Sequence, residues 1–221
     1  MATGTLVTRK GVTISTKLKG TLIAFTTLSG GLFTYGETVT GGTSSATGVV
    51  LFNDESNSEV IVSVTSGTFQ DAETITGGTS SATATVSGTP SITYGTVFTE
   101  LARVRDTFNL ARNRAETEII DFDTSETDYT DKIAGAQSAS GDFTMNIVPG
   151  GTSFQLMEAA MDYNLEVTIK RVQVDRDEAN TRTRYYQGSL TNFSEADNVS
   201  DASTVAVTIS LSSVSLTDPT A

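Results

Sequence analysis

The chain of 221 residues contains no cysteine, no histidine, no tryptophan and only three prolines. Without cysteine there is no disulfide framework and no thiolate nucleophile, and without Cys or His there is no zinc site of the common kinds. The missing histidine also removes Ser-His-Asp and Cys-His chemistry and His-based general acid–base catalysis. Absent cysteine fits a reducing compartment. Long apolar runs are missing too. No stretch approaches the ~18 apolar residues of a membrane span, and residues 1–10 (MATGTLVTRK) lack the apolar centre of a secretion signal. Positive charge is scarce: 14 Lys+Arg stand against 26 Asp+Glu, a net charge of −12. Such a balance argues against gripping nucleic acid by neutralising its phosphates.

What is abundant is Thr and Ser, 39 and 24 residues, set among short Val/Ile/Phe/Thr runs that favour strands. Residues 31–50 (GLFTYGETVTGGTSSATGVV) recur at 67–86 (GTFQDAETITGGTSSATATV) with an offset of 36 and 13 of 20 positions identical. Each copy places ETVT or ETIT before Gly-Gly and a β-favouring run after it, which predicts strand, tight turn, strand. Between the copies, residues 48–52 and 60–65 flank the polar stretch 53–59 and predict a further hairpin. Two copies are too few for a solenoid, so a small β domain of duplicated hairpins is expected.

A charge boundary coincides with the repeat. Residues 31–96 carry six acids and no base, and no Lys or Arg occurs between Lys19 and Arg103. Gly/Pro-rich stretches bound the segment at 29–31 and 88–95. The expected organisation is a discontinuous β domain, 1–30 with 97–221, carrying an inserted β-repeat domain, 31–96, that projects outward from a surface loop.

The flanks read as strands with one short helix. Residues 21–25 (TLIAF) form an apolar strand, and Phe143, Met145 and Ile147 alternate, as do Leu165, Val167 and Ile169. Val172 and Val174 then appear in the opposite phase, which predicts a bulge at Lys170-Arg171. Val205, Val207, Ile209 and Leu211 give the cleanest one-sided strand. After Pro149-Gly150-Gly151, Thr152 with Gln155 has the capping-box spacing, and Phe154, Met157 and Met161 recur on one helical face.

Little here carries chemistry. GGTSSAT has no Lys to serve as a phosphate loop, so a hairpin turn is the better account. Asp175, Asp177 and Asn180 lack the Gly and terminal Glu of an EF-hand. No catalytic, cofactor or metal constellation emerges, and a non-enzymatic protein is expected. The basic stretch 103–114 (RVRDTFNLARNR) has too few bases and aromatics for a nucleic-acid patch. The acidic stretch 121–131 follows it closely, and Arg103, Arg105, Arg112 and Arg114 are candidate partners for those acids, within one subunit or across a subunit interface.

Residues 97–221 resemble a known family. FTELARVRD at 98–106, a long polar loop, a strand ending in Pro-Gly, a short helix, the hairpin strand YQGSLTNFSEA and the closing STVAVTISLSSVSLT are similar in order to the major tail tube protein of long-tailed, non-contractile, lambda-like bacteriophages. GTLIAF at 20–25 resembles that family's first strand. The resemblance implies a mainly-β, β-sandwich or barrel-like subunit with one short helix. It further implies hexameric rings stacked into a hollow tube, through which DNA and the tape-measure protein pass without specific binding. Tail terminator and tail-tip proteins are the implied partners, with assembly in the host cytoplasm and a final place in the virion tail. By position, residues 123–141, with Asp123, Glu126, Asp128, Asp131 and Lys132, correspond to the loop such proteins use between subunits and rings. Residues 1–19 and 213–221 are expected as arms. An acidic lumen would repel a sliding phosphate backbone. Two other readings stand beside it: a capsid decoration or head–tail connector protein, and a β-repeat adhesin or carbohydrate-binding module.

Overall fold

Residues Val12–Ser29 form one strand, β1, and both halves of the molecule are built on it. The structure, a computed structural model, describes residues 12–101, 104, 108–119, 131–147, 151–174, 181–196 and 203–220. It is mainly β with one short helix, as the sequence predicts.

The repeat region supplies β2 (Thr38–Gly41), β3 (Thr47–Asp54), β4 (Glu59–Ser66), β5 (Thr74–Gly77) and β6 (Thr83–Val86). The expected hairpins are present: β2 pairs β3, β3 pairs β4 and β5 pairs β6, all antiparallel. These five strands do not close on themselves. The distal half of β1 closes the ring, with Thr21–Ala24 against β4 and Phe25–Ser29 against β6, giving a six-stranded barrel. Ile23 and Phe25 of β1 point inside with Val39, Val50, Val62, Phe69 and Ile75, so side chains fill the interior as in other small barrels.

The rest of the chain forms a large antiparallel sheet. Its strands are β7 (Ser91–Tyr94), β8 (Thr99–Glu100), β9 (Asn109–Ile119), β10 (Asp131–Asn146), β11 (Glu166–Val174), β12 (Thr181–Ala196) and β13 (Thr204–Ser215). The order runs β1-β11-β12-β13-β10-β9, with β7 and β8 on the other side of β1. Leu101 donates its N–H to Ile14 of β1, whereas Val104 bridges Met145 of β10. Three residues of chain reach at most ~11 Å. The two sides of the sheet are therefore brought together, and the sheet curls around its own core.

That core holds Leu18, Phe143, Met145, Val167, Ile169, Tyr186, Val205, Val207 and Ile209, the alternating positions picked out by sequence among them. Helix α1 (Thr152–Asp162) covers it. Gly151 is the N-cap and there is no side-chain cap, so Thr152 is the first helical residue and not the cap of a capping box. The buried face is Ser153, Leu156, Met157, Ala159 and Ala160; Met161 is exposed and Phe154 only half-buried beside Phe193. The small alanines win the core side because they let the helix approach the sheet closely. The barrel is seated on this assembly: its outward-facing Leu51 and Ile61 join the large core, and the Tyr35 hydroxyl donates to Glu158 of α1 at 3.1 Å.

Three further expectations are corrected. Residues 12–19 are not an arm but the first half of β1, paired with β11, and 213–215 continue β13 beside β12. Residues 131–141 are strand rather than loop, because β9 and β13 supply backbone partners on both sides of β10. There is no bulge at Lys170-Arg171: β11 keeps one register against β1 from Val167 to Gln173 and against β12 from Glu166 to Val174.

The register of β12 against β13 does shift at Gln187/Gly188, and there a side chain has no room. A Cβ on Gly188 would lie 2.1 Å from the Ser210 carbonyl oxygen, a backbone atom that cannot move alone. Gly188→Ala is expected to cost ~3 kcal/mol or more, as forced overpacking does. A lowered denaturant midpoint, or loss of soluble protein, checks this.

Candidate assembly surfaces

With no catalytic constellation offered by the sequence, the surfaces to define are those that could meet other chains. Sequence placed the contact residues at Asp123, Glu126, Asp128, Asp131 and Lys132, and at Arg103, Arg105, Arg112 and Arg114. Asp123, Glu126, Asp128, Arg103 and Arg105 lie outside the described residues, as do Asp175, Asp177 and Asn180. Asp131 and Lys132 open β10 opposite Ile119 and Glu118. Arg112 and Arg114 lie two apart on β9, in register with Ala139 and Gln137 of β10. Arg112 is exposed and lines a groove of about 310 Å³ with Ser138 and Val214. β9 ends the strand order, so among the described residues its outer edge is unpaired.

The opposite side of the sheet carries exposed apolar groups, Ile92 at 75 % and Val97 at 48 %, and the chain end adds Leu216 at 74 %. Beside them is a polar knot that sequence reasoning missed. Lys17 is only 6 % exposed, on the face of β1 turned away from the core. Its ammonium lies 4.6 Å from the Phe98 ring centroid and donates to Thr220 Oγ1 at 3.1 Å and to Asp218 at 3.4 Å. Burial pushes the Asp218 carboxyl up, but hydrogen bonds from Thr220 and the charge of Lys17 outweigh it and hold the group below its ordinary value. The C-terminal residues are thus pinned to the first strand. Asp218→Asn is expected to lower stability by ~1–3 kcal/mol, because Lys17 keeps its burial and loses its counter-charge. Faster protease trimming of the C-terminus, with a lower thermal midpoint, checks this.

A second polar constellation sits in the barrel. Glu37 of the first repeat copy is 5 % exposed and Glu73 of the second is 3 % exposed. The Glu37 carboxylate accepts from the N–H groups of Thr79 (2.9 Å), Ser80 (2.8 Å) and Thr34 (2.6 Å), and from the Ser80 hydroxyl at 2.7 Å. Glu73 accepts in the same way from Thr43, Ser44 and Gln70. Each glutamate therefore fastens the GGTSS turn of the other copy. The non-glycine Ser45 and Ser81 take the left-handed conformation in these turns. The first glycine of each pair is needed for close approach: a Cβ on Gly41 would lie 2.6 Å from a Glu73 oxygen, and one on Gly77 2.8 Å from Glu37.

A third cluster marks the phase break read as a bulge. The face of β11 that carries Ile169 continues toward solvent as Arg171 and Gln173, and the facing positions of β12 are Arg184 and Arg182. These four line a pocket of about 70 Å³. Among the described residues no group of acidic side chains is placed to hold a metal ion.

No protein-family model matches the chain, and no curated protein matches it. Among solved structures it is similar to the SPP1 tail tube, determined by solid-state NMR and cryo-EM, over 54 % of this chain and 67 % of that one, at 14 % identity and a TM-score of 0.42. It is also similar to the tail of an empty GTA particle, refined with helical C6 symmetry, over 55 % of this chain and 87 % of that one, at 16 % identity and a TM-score of 0.40.

Proposed function

We propose that the chain is a structural, non-enzymatic subunit of a phage-type tail tube, forming rings that stack into a hollow cylinder in the virion tail. The observation that carries this reading is the large sheet: its elements follow the order that residues 97–221 share with the tail tube family, and the sheet curls on itself under one helix. The β9 edge, unpaired among the described residues, and the exposed apolar groups beside β1 are two separate surfaces, as a ring subunit with unlike neighbours on its two sides requires. The solved structures it is similar to are themselves tail components. Rings of six, passage of DNA and the tape-measure protein, contacts with terminator and tip proteins and assembly in the host cytoplasm belong to the same proposal. So does a place for the barrel on the outside of the tube. With 26 acids against 14 bases, an acidic lumen is available to keep a phosphate backbone sliding.

Negative-stain electron microscopy of the concentrated full chain tests it. Rings or hollow tubes of regular diameter are the expected result. Monomers at every concentration and salt tried, with a folded spectrum, would overturn the reading.

A further inference from the structure

Residues 216–220 cross the outside of the large sheet. They leave β13 after Ser215, which lies opposite Tyr185 of β12, and they end on Lys17 of β1. In the strand order β11 lies between β12 and β1, so the segment is a strap over β12 and β11. Its fastening is narrow. Asp218 and Thr220 make one tight turn, in which the N–H and hydroxyl of Thr220 both donate to Asp218 Oδ1, at 2.8 and 2.6 Å. The Lys17 ammonium meets the other carboxylate oxygen and Thr220 Oγ1. Among the described residues these two contacts are the strap's only hydrogen bonds to another element, since the Thr217 N–H turns back to Ser215. Leu216, Thr217 and Pro219 stay exposed. The cation site beneath is larger than the strap uses. Lys170 of β11 lies opposite Tyr185, and its ammonium is 5.4 Å from the centroid of the same Phe98 ring that Lys17 approaches. The strap, LTDPT, brings one acid to these two ammonium groups.

We propose that this is a binding site for an extended acidic peptide of another protein, held closed by the chain's own strap. The strap displays the form of the ligand: a carboxylate with a hydroxyl two residues on, Asp-x-Thr, whose turn offers two oxygens to one ammonium. The register shows where a better ligand gains. Ser215 of β13, Tyr185 of β12 and Lys170 of β11 stand in one row, so the strap passes Lys170 before it reaches Lys17. Position 217, one residue before the aspartate, is therefore the place for a second carboxylate. A ligand carrying it meets both lysines, whereas the strap meets one. That extra contact is what lets a free segment displace a tethered one. Opening is local, because no backbone hydrogen bond to another strand breaks when the strap lifts. Val97, 48 % exposed next to Phe98, gives the incoming segment an apolar neighbour. A phosphate backbone is the poorer match, since a net charge of −12 repels it and the site is shaped around a peptide turn. The site stands whether or not the chain builds a tube.

The test is a full-length Asp218→Asn/Thr220→Ala variant, whose strap has lost both anchors, titrated with fluorescent synthetic peptides of residues 214–220. By anisotropy the variant is expected to bind the native peptide saturably. The wild type needs at least about a tenfold higher concentration, because its own strap must lift first. A peptide carrying Thr217→Glu binds the variant several-fold more tightly at low salt, and that gain disappears when Lys170→Gln is added to the protein. Equal binding by wild type and variant overturns the proposal, as does a folded variant that binds neither peptide. A single-stranded oligonucleotide that competes as well as the Thr217→Glu peptide also overturns it, by giving the site to polyanions at large. Should the variant not fold, the wild type decides alone. Excess Thr217→Glu peptide is expected to speed protease cleavage within residues 216–220 severalfold, as the strap is displaced. An unchanged cleavage rate at the highest peptide concentration sinks the idea.

Discussion

Replacing Glu37 and Glu73 together by glutamine is expected to unfold the barrel at temperatures where the large sheet persists. Each carboxylate collects three backbone N–H groups and one hydroxyl, and neither has another acceptor in reach of those donors. Glutamine has the same shape, but its amide nitrogen points donors at donors. The loss is ~2–3 kcal/mol per site, since hydrogen bonds to charged groups are the strong ones. One symptom is remote: Glu37→Gln should speed hydrogen exchange at Thr79 and Ser80, in the other repeat copy, as well as at Thr34 nearby. Equal protection in wild type and variant would refute the role.

The same groups set an acid limit. For both, burial pushes the carboxyl up, and the hydrogen bonds outweigh it, holding each below its ordinary value of 4.5. A depressed folded value means the unfolded chain binds the proton more readily. The stabilisation is therefore complete above the ordinary carboxylate range and is lost as pH falls through the folded values. Stability measured between pH 7 and pH 3 should fall for the wild type and fall much less for the double variant.

The second large effect concerns where the repeat region is cut. Deleting residues 31–96 is expected to yield aggregated protein. It leaves Thr21–Ser29 without β4 and β6 and exposes Ile23 and Phe25, which are 0 % and 4 % exposed in the barrel. Deleting residues 21–94 instead joins Gly20 to Gly95 and places Lys19 opposite Thr96. That continues the register of Thr16 with Thr99 and Ser15 with Glu100, and Gly-Gly suits a two-residue hairpin turn. This shorter chain is expected to be soluble and folded, at a cost of ~2–5 kcal/mol for losing Leu51 and Ile61 from the large core. Circular dichroism and gel filtration separate the two deletions. Equal behaviour would mean that β1 does not bind the two halves together.

The contrast shows what the sequence made legible. The hairpins of the repeat are local, so turn residues and flanking β-formers suffice to find them, as alternation suffices for Val205, Val207 and Ile209. Closure of the barrel is not local. Nothing between residues 31 and 96 signals that a sixth strand comes from residues 21–29. TKLK at 16–19 reads as solvent-facing because a buried lysine looks like an exposed one until Asp218, two hundred residues on, is placed beside it. The slip after Ile169 was a true signal with two causes available to it. A bulge would turn the arginines away from the face of Ile169; the structure instead keeps the register and sets half-buried Arg171 and Arg184 opposite each other on that face. On α1 the larger residues Phe154 and Met161 misplaced the core face, which belongs in part to Ala159 and Ala160. The small, polar residues of 131–141 gave no alternation to read.

The seam between the two repeat copies has a further consequence. Val39, Thr40 and Gly41 of β2 pair with Gly77, Thr76 and Ile75 of β5, and Gly42 donates to Thr74 as Gly78 donates to Thr38. Residues 40 and 76, one repeat apart, face each other, so an approximate dyad passes between them. Every seam contact is then made twice, and a lone change breaks the match between the halves. Selection on this seam acts on couples of positions 36 apart, and a matched replacement at both members preserves the geometry that a single one would skew. The barrel is in this sense a homodimer held on one chain. A gene fragment encoding one copy and its share of β1 has a ready-made surface with which to find its twin.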